Sequence, residues 1–302
     1  MLFATAVFGA AKGPGTAGPD PLITPTHADV SYGPHERNKL DFWQAAGDGP
    51  RPVVIFIHGG GYHRGDKSQV RELAQMKEAF LDKGISCCSI NYRFTSHALL
   101  PASMQDAARA LQFIRSKAKE WNVDKNRIAL TGTSAGACSS LWVALHDDMA
   151  DPASDDPVLR ESTKPACAAT INAQTSLDPE WIEKNIGEVA SNHPVLAEAF
   201  GAASSGEMIK DRGKYEKALV ECSPISHVDK GDPPVYFFYD YGPSLPPKDR
   251  SQGIHHPVFG FKFKEKADEA GLECYVNVKN DKSKYGSLEG FVRAKLLDSP
   301  PQ

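Results

Sequence analysis

The amino-acid sequence predicts an α/β fold with a mostly parallel central sheet flanked by helices. Short apolar runs rich in β-branched residues, such as residues 52–57 and 128–131, are typical of strands buried on both faces. Amphipathic helical patterns separate these runs, and strands that alternate with helices favour a parallel sheet. The 302-residue chain also has ample sequence for the core of one large domain.

The individual elements follow from the residue pattern along the chain. Two short alternating segments, 29–32 and 39–43, flank a polar turn and predict an edge hairpin. Residues 175–233 are helix-prone and charged, and we expect them to form a small helical cap over a pocket. The other predicted strands are 52–57, 85–92, 128–131, 166–171, 235–239 and 273–278, and the predicted helices are 69–83, one starting at Pro101, one after Gly136, 257–270 and 288–297.

We expect a single domain over residues 27–302, preceded by a flexible leader or signal remnant at residues 1–26. Residues 1–11 are apolar and end in small residues, like the tail of a secretory signal, which favours a secreted or periplasmic protein. They lack a basic leading region, so the alternative is a loose arm on a cytoplasmic protein. No apolar run reaches the roughly 20 residues that a membrane span needs.

Charge and cysteine content exclude several classes of function. The formal net charge of −4 gives no basic surface, so we expect no nucleic-acid partner. The six cysteines form no C-x-x-C pair and no Cys/His spacing typical of a metal site, so we expect no metal and mostly buried free thiols. The oligomeric state is left open.

A Gly-x-Ser-x-Gly motif carries the candidate nucleophile. Gly132, Ser134 and Gly136 follow the strand at 128–131 and precede a predicted helix. The glycines of such a motif permit a tight strand-to-helix turn that exposes the serine hydroxyl at the top of a sheet. A bulkier residue at either glycine would collide with the neighbouring strand or helix. We therefore predict that Ser134 is a catalytic nucleophile.

A His-Gly-Gly-Gly sequence directly follows the first buried strand. Acyl transfer needs donors aimed at the developing oxyanion, and glycines let backbone N–H groups approach a carbonyl oxygen without side chains in the way. We expect Gly60, Gly61 and Ala135 to supply these donors from their backbone N–H groups. The next two residues, Tyr62 and His63, are the predicted substrate contacts.

With both motifs in this order, the chain resembles the α/β-hydrolase family, specifically its HGGG-type esterases and lipases. Residues 54–67, Asn91-Tyr-Arg93 and residues 127–136 are similar to the acetylxylan and feruloyl esterase branch. The resemblance runs from about Val53 to Val278. It implies the α/β-hydrolase fold and a serine carboxylesterase that needs no cofactor. It also implies a short acyl ester as substrate, including esters of carbohydrates or phenolics.

The chain departs from the pattern of this family at the other two members of the triad. The family usually carries its acid just after the strand at 235–239, a position that falls near Pro243. The family's histidine usually follows the last strand, but residues 279–286 hold no histidine and none occurs after His256.

The candidate base is therefore His256 or His255, in the loop after the strand at 235–239. This loop lies on the C-terminal side of the sheet, where sites of open α/β sheets form. The preferred acid is Asp281, from the loop after the last strand, since triads are defined by geometry and vary in chain order. The alternative acids are Asp240, Asp249 and Asp178.

Two other functions stay open at this point. An amidase of the arylformamidase type uses the same serine motif and glycine loop. A hydrolase-fold binding protein without activity is the alternative from another class, and the missing acid and histidine positions motivate it.

Overall fold

An eight-stranded sheet runs through the computed structural model, which describes residues 24–69, 76–281 and 284–297. The strands in chain order are β1 (His27–Ser31), β2 (Lys39–Trp43), β3 (Arg51–Ile57), β4 (Ser86–Ile90), β5 (Val123–Thr133), β6 (Cys167–Ile171), β7 (Val235–Tyr239) and β8 (Cys274–Val278). Their spatial order is β1-β2-β4-β3-β5-β6-β7-β8. The β1–β2 and β2–β4 pairs are antiparallel and the other pairs are parallel, so the predicted class is confirmed.

Helices cover both faces of this sheet and the C-terminal ends of its strands. They are α1 (Ala102–Ser116), α2 (Ala135–Leu145), α3 (Pro179–Asn185), α4 (Glu188–Ser191), α5 (Pro194–Phe200), α6 (Ser205–Lys210), α7 (Arg212–Cys222), α8 (Arg250–Ile254), α9 (Val258–Ala270) and α10 (Leu288–Leu297). Short 3₁₀ turns lie at Leu81–Lys83 and Pro224–His227. No helix in the described part of the chain is long and apolar enough to cross a membrane.

The central strand β3 shows why helices are needed on both faces. Val53, Ile55 and Ile57 belong to one core, which also contains side chains of α1, α2 and α9. Val54 and Phe56 belong to a second core with side chains of α10. Because successive side chains of a strand point to opposite faces, a continuous apolar run is stable only when both faces are covered.

The predicted edge hairpin is confirmed as β1 and β2, and an ion-pair network joins it to the loop after β3. Lys67 lies in that loop, and its Nζ donates to Asp41 Oδ2 at 2.6 Å and lies 2.8 Å from Asp29 Oδ1. Lys67 and Asp41 are both buried. The network therefore holds the loop at 58–67, which contains the three glycines, against the edge of the sheet.

The segment predicted as a cap is helical, from α3 to α7. Side chains at three of its helix N-termini accept backbone N–H groups that have no partner within the helix. Asp178 accepts from Glu180, His193 accepts from Val195, and Ser204 accepts from Glu207. These caps allow short helices to start and stop in quick succession above the strand ends.

Two predicted segments lie wholly or partly outside the described residues. These are the leader, of which residues 1–23 are not described, and the helix at 69–83, of which residues 70–75 are not described. The described end of that helix is a 3₁₀ turn, which Gly84 terminates in the left-handed conformation with φ +80°. All six cysteines are buried and free.

Candidate active site

Ser134 lies in the turn between β5 and α2, in a conformation that a side chain rarely adopts. Its φ of 53° is positive, and such strain persists only where the surrounding structure enforces it. A Cβ atom on Gly136 would lie 2.0 Å from the carbonyl oxygen of Ile57, and one on Gly132 would lie 2.6 Å from the backbone of Gly136. The two glycines therefore allow β5, β3 and α2 to approach closely enough to form this turn.

The structure brings one histidine to this serine. The Oγ atom of Ser134 lies 2.9 Å from Nε2 of His255, the residue that ends α8. Burial lowers the pKa of His255 to about 4, against the smaller, opposing effect of the backbone carbonyl of Ser251, which favours a protonated ring nitrogen. The ring is thus neutral near pH 7, with its other nitrogen protonated when Nε2 accepts the Ser134 hydroxyl.

The prediction that His256 is the base is not met, because both of its ring nitrogens have other partners. Its Nδ1 accepts the backbone N–H of Val258 at 3.2 Å, at the start of α9. Its Nε2 donates to the carbonyl of Ser244 at 3.3 Å. The side chain is fully buried, and it fixes the loop that leads into α9.

The prediction that Asp281 is the acid is not met either. Its carboxylate accepts the backbone N–H of Val278 at 3.1 Å, while its own N–H donates to the carbonyl of the same residue at 2.9 Å. Asp281 is exposed and closes the turn that follows β8. A short polar side chain directly after a strand commonly does this, and sequence spacing does not reveal it.

The alternative acids also have other partners. The carboxylate of Asp240 accepts from Asn172 Nδ2 at 2.9 Å, and that of Asp249 accepts from the backbone N–H of Gln252 at 2.8 Å as the N-cap of α8. Asp178 caps α3 and binds Arg212 through two hydrogen bonds. Within the described residues, no carboxylate is hydrogen-bonded to His255.

In the absence of a carboxylate partner among the described residues, His255 is positioned by the short helix α8. Gln174 Nε2 donates to the carbonyl of Ile254 at 2.7 Å and to that of Asn172 at 3.0 Å, which ties the end of α8 to the loop after β6. A Cβ atom on Gly253 would lie 2.9 Å from Cα of Ala190, so α8 packs closely against α4.

Helix α8 was not among the predicted helices, although the chain contains a signal for it. Asp249 accepts from the N–H of Gln252, and Gln252 Oε1 in turn accepts the N–H of Lys248 at 2.7 Å. An Asp followed three residues later by a Gln is close to a capping box. That pattern marks the helix start from which His255 follows.

The glycine loop after β3 borders the serine turn. Gly60 and Gly61 have φ values of 115° and 62°, and a Cβ atom on Gly60 would lie 2.1 Å from the carbonyl oxygen of Arg64. His58 Nδ1 donates to the carbonyl of Gly59 at 2.7 Å. Burial lowers the pKa of His58 to about 4, so the buried ring stays neutral, and its hydrogen bond to Gly59 stabilises the loop. The third predicted donor, the N–H of Ala135, is the first of α2, and the first N–H groups of a helix have no intrahelical partner.

A cavity of about 460 Å³ opens above Ser134 and His255. Both predicted substrate contacts line it, but in different ways. Tyr62 is almost fully buried, and its hydroxyl accepts from Ser139 Oγ at 3.4 Å, so it forms part of the cavity wall. His63 is exposed, and its Nδ1 lies 2.9 Å from Glu198 Oε2 on α5. This pair connects the glycine loop to the cap.

One cluster in the described residues has ligand atoms close enough for a metal ion. His35, Glu36 and His97 offer atoms that lie within 4.8 Å of one another. Nδ1 of His35 accepts the N–H of Arg37, and Nδ1 of His97 accepts the N–H of Phe94. Each neutral ring therefore carries its proton on Nε2, the atom that would have to bind the metal. These three residues do not line the cavity above Ser134.

Comparison with models of known protein families identifies the family to which the chain belongs. The family model BD-FAE matches residues 40–256, which is well over half of the sequence. The chain belongs to the BD-FAE family. The matched range contains Ser134 and His255 and ends before Asp281.

Relatives of this BD-FAE chain include a protein of Mycobacterium tuberculosis described as the probable carboxylic ester hydrolase LipM. It is 25% identical over 231 residues, which cover 75% of this chain and 50% of LipM. Esterase LipQ of the same organism is 26% identical over 249 residues, covering 80% of this chain and 54% of LipQ. The chain thus spans about half the length of the curated relatives it matches.

Solved structures confirm the α/β-hydrolase fold of this BD-FAE chain. The acetyl ester-xyloside bifunctional hydrolase of Caldicellulosiruptor lactoaceticus superimposes with a TM-score of 0.62 at 22% identity, covering 80% of this chain and 76% of that one. A truncated carbohydrate esterase from gut microbiota superimposes with a TM-score of 0.66 at 20% identity, covering 87% of this chain and 90% of that one.

The low pKa of His255 predicts a change of stability with pH. Histidine in the unfolded chain binds its proton near pH 6.5, whereas folded His255 does so at about pH 4. Between these values the unfolded state holds more protons, so stability rises with pH across this window. Histidine NMR should show His255 titrating near pH 4 in the wild type and unchanged in Asp281→Asn. A His255 pKa at or above 6.5 would contradict this account.

Proposed function

We propose that this protein is a serine-dependent carboxylic ester hydrolase. The 2.9 Å contact between Ser134 Oγ and His255 Nε2 at the floor of the cavity carries the proposal. A serine hydroxyl is a poor nucleophile unless a base lies within hydrogen-bond reach, and this contact meets that requirement. Membership of the BD-FAE family and relatives described as ester hydrolases support the same reaction.

The reaction proceeds through an acyl-enzyme. Ser134 Oγ attacks the ester carbonyl carbon while His255 Nε2 takes the hydroxyl proton. The carbonyl oxygen becomes an oxyanion, which the N–H groups of Gly60, Gly61 and Ala135 stabilise. The intermediate collapses with cleavage of the bond to the alcohol oxygen, and His255 returns its proton to the departing alcohol. Water then attacks the acyl-enzyme by the same steps and releases the acid.

We propose that the backbone carbonyl of Ser251, which acts to raise the pKa of His255, supplies part of what a triad carboxylate normally provides. Replacing the aspartate of a Ser–His–Asp triad lowers kcat about 10⁴-fold, because the imidazole then adopts the wrong tautomer. In this protein the carbonyl of Ser251 would take that role by favouring a proton on the second ring nitrogen, which is the tautomer that leaves Nε2 free to accept from Ser134. A carbonyl provides no full negative charge, so the imidazolium formed during the reaction is stabilised less than in a triad.

The cavity favours a small ester. Its volume of about 460 Å³ lies toward the lower end of the range for small-molecule sites, about 300–1,000 Å³. Leu177, Val195 and Leu196 give it an apolar wall. We propose a short acyl group, with a carbohydrate or phenolic alcohol as the leaving group. The descriptions of the xyloside hydrolase and the carbohydrate esterase support the carbohydrate part of this proposal.

The two adjacent histidines offer a matched pair of variants. His255→Asn removes the base and should lower kcat for 4-nitrophenyl acetate by about 10²–10⁴-fold, the usual contribution of a general base. His256→Asn should retain most of the activity, since asparagine also accepts the N–H that His256 binds at the start of α9. Initial rates, with circular dichroism as a folding control, measure both. Equal losses in the two variants would contradict the assignment.

Substrate panels distinguish the ester hydrolase from the two alternatives. We expect hydrolysis of 4-nitrophenyl acetate and of acetylated xylo-oligosaccharides, with N-formyl arylamines cleaved at least tenfold more slowly. Faster cleavage of the formamide would favour the arylformamidase-type amidase instead. A folded protein that cleaves none of these compounds and whose Ser134 resists fluorophosphonate would favour a binding protein.

A further inference from the structure

The wall of the cavity above Ser134 includes a positively charged side chain, that of Arg64. Arg64 and His193 line the cavity together with His63 and His255. Arg250 lies one residue before another lining residue, Ser251. Arginine is charged at any pH at which an esterase works, so the positive charge is permanent.

The guanidinium groups of Arg64 and Arg250 have no hydrogen bond or ion pair with any other described residue. Arginines elsewhere in the described chain are engaged: Arg93 pairs with Asp106, and Arg212 pairs with Asp178. Arg64 is exposed, so its five donors are available to a bound molecule.

The backbone places the Arg64 side chain against the glycine loop. The N–H of Arg64 donates to the carbonyl of Gly60 at 3.2 Å. A Cβ atom on Gly60 would lie 3.0 Å from Cγ of Arg64. The stem of the side chain therefore packs against Gly60, one of the residues proposed to bind the oxyanion. Arg64 also lines the cavity that contains Ser134.

Negative charge around this part of the cavity is sparse. None of the described residues that line it is acidic. The neighbouring carboxylate of Glu198 is engaged with His63 at 2.9 Å. The pKa of His193 is lowered, first by burial and then by the charge of Arg250. His63 and Arg64 lower it further, while Glu198 acts to raise it.

We propose, on the basis of the function proposed above, that Arg64 binds a carboxylate on the substrate. The enzyme would then prefer esters that carry negative charge near the scissile bond over neutral esters of the same shape. Half-esters of dicarboxylic acids carry the charge on the acyl side. Acyl groups attached to acidic sugars or to hydroxy acids carry it on the alcohol side. A guanidinium suits either, because it binds a carboxylate through two parallel hydrogen bonds.

Two pairs of esters test the preference on each side of the bond. Mono-4-nitrophenyl glutarate and 4-nitrophenyl pentanoate differ in charge on the acyl side. 4-Acetoxybenzoate and methyl 4-acetoxybenzoate differ in charge on the alcohol side. The ratio of kcat/KM values, anionic over neutral, is measured for each pair at low ionic strength.

We expect at least one ratio to fall about fivefold in Arg64→Gln, which corresponds to the free energy of an exposed ion pair at the upper end of its usual range. Arg64→Lys should retain part of that ratio, and Arg64→Glu should lower it further. The wild-type ratio should also fall on raising the salt from about 0.01 M to 1 M, since the Debye length shortens from about 30 Å to about 3 Å. Glu198→Gln should raise the ratio, because it removes the neighbouring negative charge.

Arg160→Gln is the matched control, since Arg160 donates to the carbonyl of Ser154 at 2.7 Å in a loop that does not line the cavity. Ratios that stay unchanged in both Arg64→Gln and Arg64→Glu, or that fall equally in Arg160→Gln, would overturn the proposal. If an Arg64 variant fails to fold, the salt dependence of the wild-type ratios still tests the proposal, because ratios that do not change with salt would overturn it. Failure of the proposed function is distinct, because the neutral esters would then not be hydrolysed at all.

Discussion

The hydrogen bond between Ser134 and His255 depends on a helix of five residues. Helix α8 is too short to be stable alone, because the conformational entropy lost in nucleating a helix outweighs the hydrogen bonding gained in a single turn. It is held by its N-cap Asp249, by the hydrogen bond of Gln174 to its last carbonyl and by its close packing on α4. The position of the proposed base is thus set by the cap and by the loop after β6.

This arrangement changes the electrostatics of the site. In a triad a buried carboxylate both orients the imidazole and stabilises its positive charge. Here no carboxylate of the described residues is hydrogen-bonded to the ring, and burial makes its neutral form the stable one. The proposed base is therefore unprotonated at neutral pH, but it is also a weaker base than an unperturbed histidine. The neighbouring His193 also acts to lower the pKa of His255.

Much of the fold could be predicted because it follows from strong local patterns. Apolar runs located the parallel strands, and Gly132 and Gly136 located the serine turn, since only glycine fits where the strands and α2 approach so closely. The glycine loop could be predicted for the same reason. These features depend on residue type at fixed spacing, which a single sequence displays.

The partners of the serine could not be predicted in the same way. His255 and His256 are adjacent, and only the end of α8 decides which ring faces Ser134 and which turns inward to cap α9. That helix is too short to produce a hydrophobic period. Asp281 had the right chemistry in the expected loop, but its carboxylate is used by the turn it occupies. Whether a side chain bonds to its own turn or to a distant residue depends on the three-dimensional structure, so a single sequence does not reveal it.

The claim that His255 acts without a carboxylate partner is tested most directly by the rate of Ser134 phosphonylation. The second-order rate constant with a fluorophosphonate is measured for wild type, His255→Asn and the four single Asp→Asn variants at positions 178, 240, 249 and 281. We predict that labelling maps to Ser134, that His255→Asn slows it at least 100-fold, and that all four aspartate variants stay close to wild type. A loss in any aspartate variant that matches the loss in His255→Asn would contradict the account.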